Sequence, residues 1–300
     1  MEHTERPRAM RSRDDYIINF VAYFLCSLVL IATLYPLIYV VSASFSEPSE
    51  VINGNIWLLP KNVTLDGYEM ILDYDPIWIG YRNTIFYTLT GTFFSLILTI
   101  PSAYALSKKS LPGRRLINVF FLIPMYFNGG LIPTYLVMKK IGMVNTWYSL
   151  IFIAASSVYN MIVTRAYFQS NVPEELYESA RIDGASELKT FFRIALPLVK
   201  PILAVMILFF AVARWNDYFN ALIYIRDERL YPLALIMRNI LVTQQIQSAL
   251  GTGEAALIAL RKANLMRYAM IIVATVPIMC VYPFVQKYFD QGVMIGAVKG

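Results

Sequence analysis

The side chains best placed to interact through charge and shape gather in one stretch, 173–197. Glu174, Glu175, Glu178, Asp183 and Glu187 are interleaved there with Arg181, Lys189 and Arg193, and the small residues Ala180, Gly184 and Ala185 sit near the middle. Small residues let another backbone approach closely, and charges beside them can pair across an interface. That is the chemistry of docking. The alternative, a helix lying on a bilayer, would carry a polar face rich in Lys and Arg, and the five acidic residues oppose it.

Catalytic chemistry has little to work with. His3, in the N-terminal tail, is the only histidine, which weakens imidazole catalysis or a metal site. Cys26 and Cys280 both lie in apolar runs, so no disulfide framework is expected. No G-x-x-x-x-G-K-S/T phosphate loop occurs. The chain is therefore expected to hydrolyse no ATP, to bind no cofactor or metal and to catalyse no reaction.

The stretch reads as two helices about a bend. Asn171 is the expected cap of a first helix whose opening turn holds Pro173, Glu174 and Glu175. Gly184 supplies a stop, and a second helix starts at Ser186. Leu188, Phe191, Phe192 and Ala195 then fall on one face, expected to pack against the rest of the protein.

The rest of the chain must place this stretch. With 57% hydrophobic residues, 15% charged residues and mean hydropathy of +0.52, it reads as an integral membrane protein, all-α and a single membrane domain over 1–300. Six windows approach a spanning length: 16–43, 83–107, 116–138, 145–164, 194–213 and 268–286. The fifth is interrupted by Lys200, which can snorkel from near a helix end. The first follows Arg6, Arg8, Arg11 and Arg13 and is too long for the apolar core of a signal peptide, so it is read as a retained helix. Those arginines, with Lys108, Lys109, Arg114 and Arg115, set the tail and the second loop on the cytoplasmic side. Both termini and the insert 171–197 then face the cytoplasm. Lys139 and Lys140 break the rule.

Segment 45–81 is expected to be an irregular outer cap with little helix, given Glu47-Pro48, Asn53-Gly54, Pro60 and Asp75-Pro76. Segment 217–267 should contain a helix over 233–250 and a shorter one over 254–261. Breakers at Pro36, Pro101, Pro124, Asn128-Gly129-Gly130, Pro133, Pro277 and Pro283 suit a transporter. Trp215, Asn216, Asp217 and Asn220, near the outer end of the fifth window, are candidates for a substrate path. The alternatives are an interfacial anchor for Trp215 and an ion pair of Asp217 with Arg214. An ion-coupled secondary transporter would be expected to carry ionisable groups deep in its spans, and the windows are nearly free of them. A membrane enzyme lacks a clustered constellation of His, Cys or carboxylates.

The spacing Glu178-Ser179-Ala180, three residues, Gly184, nine residues, Ile194, one residue, Leu196-Pro197 resembles the EAA signature of ABC-importer permeases. Ser179 stands where alanine is usual. With six windows, the Trp215-Asn216-Asp217 turn and the ending Gly292, Gly296, Val298-Lys299-Gly300, the chain is similar to the carbohydrate-importer branch, maltose-permease-G-like and nearer the permeases for complex or acidic oligosaccharides. The resemblance implies an ABC type I importer fold in the cell membrane. It implies that Glu178, Ser179, Ala180, Asp183, Gly184, Ala185, Ile194, Leu196 and Pro197 form the element seated on an ATPase subunit, and that Gly296, Lys299 and Gly300 touch the same partner. It also implies a second homologous permease, two ATP-binding subunits carrying ATP and Mg, an extracytoplasmic solute-binding protein and a carbohydrate, expected to be an oligosaccharide.

Overall fold

A computed structural model describes residues 13–250, 266–280 and 283. Among the described residues all regular elements are helices, joined by loops, with a single isolated bridge between Ser46 and Val63. Contacts divide the chain into two units, Met1–Ile71 with Gln247–Ile272, and Leu72–Ile246 with Val273–Gly300.

In the first unit, α1 (Arg13–Ser44) is a long apolar helix with Pro36 inside it. Its end is tied to the following loop by serines. Ser42 Oγ donates to the Leu58 carbonyl at 2.6 Å, Ser46 Oγ donates to the Ser42 carbonyl at 2.7 Å, and the Ser44 and Tyr68 hydroxyls lie 2.8 Å apart. Ala43, Val51 and Ile56 form a small core there, with Tyr39 and Tyr268 against it. The loop is more helical than the sequence led us to expect. It contains α2 (Pro48–Ile52) and α3 (Asp66–Leu72), and α4 (Asp75–Ser107) already begins at Asp75. Pro48 and Pro76 sit in the first turns of α2 and α4, where a missing amide costs nothing and the fixed φ starts a helix.

The second unit is built on α4. The third window is bent: α5 (Arg114–Tyr126) and α6 (Leu131–Lys140) meet at 111°. Gly130, at φ 84°, makes the corner, and its amide donates to Asn128 Oδ1 at 2.9 Å. The fourth window divides into α7 (Trp147–Phe152) and α8 (Val158–Asn171), the latter capped by Ser157. Next come α9 (Glu174–Ile182), α10 (Glu187–Thr190), a π-helical turn over Phe191–Ala195 and α11 (Leu196–Leu198). At Val199 the chain bends by 83° into α12 (Lys200–Trp215). Lys200 is thus exposed at the start of a helix and interrupts none. The remainder is α13 (Phe219–Tyr224), a 3-10 turn over Glu228–Leu230, α14 (Leu233–Leu250) up to Ile246 and α15 (Met266–Cys280) from Val273 onward.

Both α8 and α12 pack chiefly against α4. Gly80 and Gly91 permit close approach on α4: a Cβ at Gly80 would lie 3.0 Å from Leu233 Cα, and one at Gly91 would lie 3.0 Å from Arg214 Cζ. The largest core joins Ile100, Ala103, Tyr104 and Leu106 of α4 to Met161 and Phe168 of α8 and to Ala195, Ile202, Met206 and Phe210.

Candidate coupling site and membrane cavity

The insert folds as two helices about Gly184, with a closure more specific than a simple stop. Gly184 takes φ 71°, its amide donates to the Arg181 carbonyl at 3.1 Å, and the Ala185 amide donates to the Ala180 carbonyl at 2.9 Å. These are the two crossed bonds of a Schellman motif, which needs the left-handed conformation glycine adopts freely. Ser186 then caps α10 by accepting from the Lys189 amide at 3.3 Å. Asn171 has another role. It is the last residue of α8, its side-chain amide donates back to the Tyr167 carbonyl, and Pro173 precedes α9 instead. Proline suits that place because the first amides of a helix have no internal partner.

The face expected to bury Leu188, Phe191, Phe192 and Ala195 together is split. Phe191 and Ala195 are buried, whereas Leu188 and Phe192 are 71% and 60% exposed. The split follows two neighbouring i, i+4 rows, Leu188 with Phe192 and Phe191 with Ala195, of which only the second meets the core. Ala180 is buried too, so it lies beneath the surface that the small residues were expected to form. The exposed surface consists of Glu178, Ser179, Asp183 and Gly184, with Ile182 at 86% exposure, Leu188 and Phe192. Apolar side chains standing in solvent on a charged element mark a contact surface. Ile194 and Leu196 are half-buried, and Pro197 is exposed.

The insert is clamped to the end of α4. Buried Lys108 makes an ion pair with Glu187, and Tyr104 Oη donates to the same carboxylate at 3.3 Å. The Lys108 ammonium also lies 4.7 Å from the ring centroids of both Tyr104 and Tyr177, one on each helix of the clamp. A cation held over two aromatic faces gains from both ring quadrupoles. Lys109 and Glu174 add an outer pair at 3.6 Å, and the Gln169 side chain donates to the Ser107 carbonyl. Tyr104 packs against Phe191 with centroids 4.8 Å apart. The hydrogen bond from Lys108 holds the Glu187 carboxyl below the usual carboxylate range, against the raising effect of its partial burial. In the sequence Lys108 was legible only as an orientation charge. A lysine directly after an apolar helix, facing an acidic insert, was the available signal.

The candidates near the end of α12 separate. Trp215 lines a cavity of about 520 Å³ bounded by α4, α12 and α15, with Thr88, Thr92 and Leu208 also in its wall. Its indole Nε1 donates to the Ala274 carbonyl at 3.1 Å, and its ring meets Tyr81 with centroids 6.3 Å apart. Asn216, Asp217 and Asn220 are outside that wall. Asn216 donates to the Val212 carbonyl, and Asp217 accepts from the Asn220 backbone and side-chain amides at 3.1 and 2.8 Å. The ion pair of Asp217 with Arg214 does not form. Arg214 is buried and turns to Ser95 and to the Leu150 and Ile151 carbonyls. Gly296, Lys299 and Gly300, and the helix expected over 254–261, lie outside the described residues.

Comparison with known proteins agrees with this architecture. Protein LplC of Bacillus subtilis (strain 168) is 39% identical over 268 residues, covering 89% of this chain and 90% of its own length. The polygalacturonan/rhamnogalacturonan transport system permease protein YtcP of the same organism is 37% identical, covering 92% and 96% respectively. Among solved structures, a bacterial ABC transporter involved in the import of the acidic polysaccharide alginate contains a chain that superimposes with a TM-score of 0.83. That chain is 35% identical, and the match covers 94% of this chain and 99% of that one. Residues 76–295 match the family described as binding-protein-dependent transport system inner membrane component. The chain belongs to that family, as a membrane-embedded permease subunit with the ABC type I importer fold.

Proposed function

We propose that this permease imports an acidic oligosaccharide and that its insert 171–197 is the element through which ATP hydrolysis on partner subunits drives the movement. The observation that carries the reading is the insert's exposed surface: Ile182, Leu188 and Phe192 stand in solvent while the clamp at Lys108 and Glu187 holds their helices to α4. A ligand-biased two-state bundle needs differential contact at such an element, because only a difference in contact between states shifts an equilibrium. Glu178, Ser179, Asp183 and Gly184 lie on the contact side; Ala180, Ala185, Ile194, Leu196 and Pro197 shape the element behind it. ATP and Mg belong to the ATPase subunits, and this chain contributes no catalytic group. A second permease completes the path, and both termini face the cytoplasm, where Gly296, Lys299 and Gly300 reach the same partners.

The acidic character of the cargo is supported by the relatives, whose names and descriptions specify polygalacturonan, rhamnogalacturonan and alginate. Trp215, with its indole edge in the cavity wall, is the candidate for stacking on a sugar ring as cargo passes. Asn216, Asp217 and Asn220 shape the turn that holds it.

The test is a reconstituted complex of this chain with its associated subunits, assayed for ATP hydrolysis and for uptake of an oligogalacturonide. Leu188→Asp and Gly184→Arg are expected to lower uptake per ATP by about tenfold or more, the scale of a few kcal/mol lost at an interface centre. Unchanged uptake per ATP in both variants would overturn the coupling role. Uptake of neutral oligosaccharides in preference to the galacturonide would overturn the acidic cargo.

A further inference from the structure

The loop after α1 presents apolar side chains on a fixed backbone. Ile56 enters the small core with Ala43 and Val51, whereas Trp57 and Leu59 are 72% and 77% exposed, and Leu58 and Val63 stand out with them. A run of this kind forgoes in water the free energy that burial would return, so it marks a surface that something apolar covers. The loop is not free to fold these side chains away. Glu50 holds both of its ends, its carboxylate accepting from Asn55 Nδ2 at 2.7 Å and from Asn62 Nδ2 at 3.2 Å. The Lys61 amide donates to Ser46 Oγ at 3.0 Å, and the Glu47 amide donates to the Lys61 carbonyl at 3.2 Å.

What covers the run follows from its depth. The apolar span of α1, Tyr16–Ser44, has 29 residues and so is roughly 43 Å long. A bilayer is about 30 Å thick in its hydrocarbon core and about 40–45 Å thick with its headgroups, which sets the last turn of α1 in a headgroup layer. A tilt of about 20° shortens the span little. That last turn is where the loop is fastened, because Ser42 Oγ donates to the Leu58 carbonyl. Headgroup depth is where tryptophan collects, its ring among apolar carbons and its N–H within reach of water. Lys61, two residues beyond Leu59, is exposed and makes no ion pair among the described residues, which suits a layer of phosphates.

From this we infer that residues 57–59 are a membrane foot: Trp57, Leu58 and Leu59 insert into the lipid leaflet at the C-terminal end of α1 and fix the depth of that end. The helix needs such a device. Its 29 apolar-span residues exceed the about 20 that a hydrocarbon core requires, and none of its apolar window is packed within the chain. Composition alone therefore lets α1 slide along its axis, and the foot removes that freedom.

The test uses the assembled complex, with Cys26 and Cys280 replaced by serine, in vesicles of phosphatidylethanolamine and phosphatidylglycerol. A spin label at Leu59→Cys is read by its collisions with oxygen, which dissolves in lipid, and with a water-soluble nickel chelate. The label should meet oxygen several-fold more often than the chelate. At Val63→Cys the ratio should be lower, because the bridge from Val63 to Ser46 lies beyond the end of α1. Replacing Trp57→Ser and Leu58→Ser together should lower the ratio at Leu59→Cys several-fold; both side chains are exposed, so the small core around Ile56 is left intact. Ready access of the chelate to Leu59→Cys in the parent loop would place the run in water and overturn the foot. Poor access of both reagents would show that another subunit covers it, and would overturn the foot equally. So would a ratio unmoved by the paired serine substitutions.

Discussion

The helices α1 and α4 have nearly the same length, 32 and 33 residues, and both are apolar enough to cross a membrane. None of the apolar window of α1 is buried, against 44% of that of α4. Their sequences explain the difference. The middle of α1 is Leu, Ile, Val, Phe and Tyr with few interruptions, whereas α4 threads Gly80, Asn83, Thr84, Gly91, Thr92, Ser95 and Thr99 through the same background. In lipid, an apolar side chain gains little by leaving the tails for another helix, so hydrophobicity alone selects no partner. Small residues let backbones approach, and polar ones need partners. On α4 they find them: Asn83 donates to the Arg229 and Tyr231 carbonyls at 2.8 and 3.0 Å, Thr84 Oγ1 accepts from the Leu233 amide at 2.8 Å, and Tyr87 Oη donates to the Leu230 carbonyl at 3.0 Å.

The contrast can be broken most forcefully at Gly80. Leucine there would meet the Leu233 backbone, which cannot rotate away, so α14 must move. Gly80→Leu is expected to destabilise the purified chain by about 2 kcal/mol or more, read as a lowered thermal midpoint in detergent. A midpoint equal to that of the parent would show that the close approach is dispensable.

A smaller effect is expected at the clamp. Glu187 has a lowered pKa, so the stabilisation it contributes is complete above the usual carboxylate range and disappears as pH falls through the lowered value. Its side chain is 67% exposed, which limits the contribution to about 1 kcal/mol or less. The gap in thermal midpoint between the parent and Glu187→Gln should therefore be widest near neutrality and close as pH falls through the lowered carboxylate value. A gap that stays constant with pH would remove the ion pair from the account.

The smallest effect is expected on α1. Leu28 is 53% exposed, and Leu28→Ala should change the stability of the isolated chain by no more than about 0.5 kcal/mol. Repeating the measurement in the assembled complex sharpens the comparison, because an effect confined to the complex would show that α1 acquires its partner from another subunit.

Much of the insert was legible in the sequence because its signals are local. Gly184 had to stop a helix, Ser186 could cap the next, and the run 233–250 was helical by pattern; each depends on neighbours within a few positions. The partners of Arg214 and Lys108 were hidden for the opposite reason. The nearby Asp217 was one alternative partner for Arg214, yet the partners of Arg214 lie 64 and 119 positions away at Leu150 and Ser95. Glu187 stands 79 positions from Lys108. Periodicity carries no information about such meetings, which are decided when helices pack. The split face at Leu188 and Phe192 was hidden differently, since spacing in steps of three and four marks an apolar stripe without saying which of its rows meets the core.

The π-helical turn at Phe191–Ala195 also makes this region a matter of counting. A π turn holds one residue more than the α turn it replaces, so removing a single residue there would let the ladder close as an ordinary helix and turn everything beyond it by about 100°. The chain is pinned on both sides of that turn, by Glu187 before it and by buried Val199 and Arg214 after it. Substitutions between these pins alter surface and fit, but a change in length sets one pin against the other. In this part of the protein, the number of residues is as much a determinant of structure as their identity.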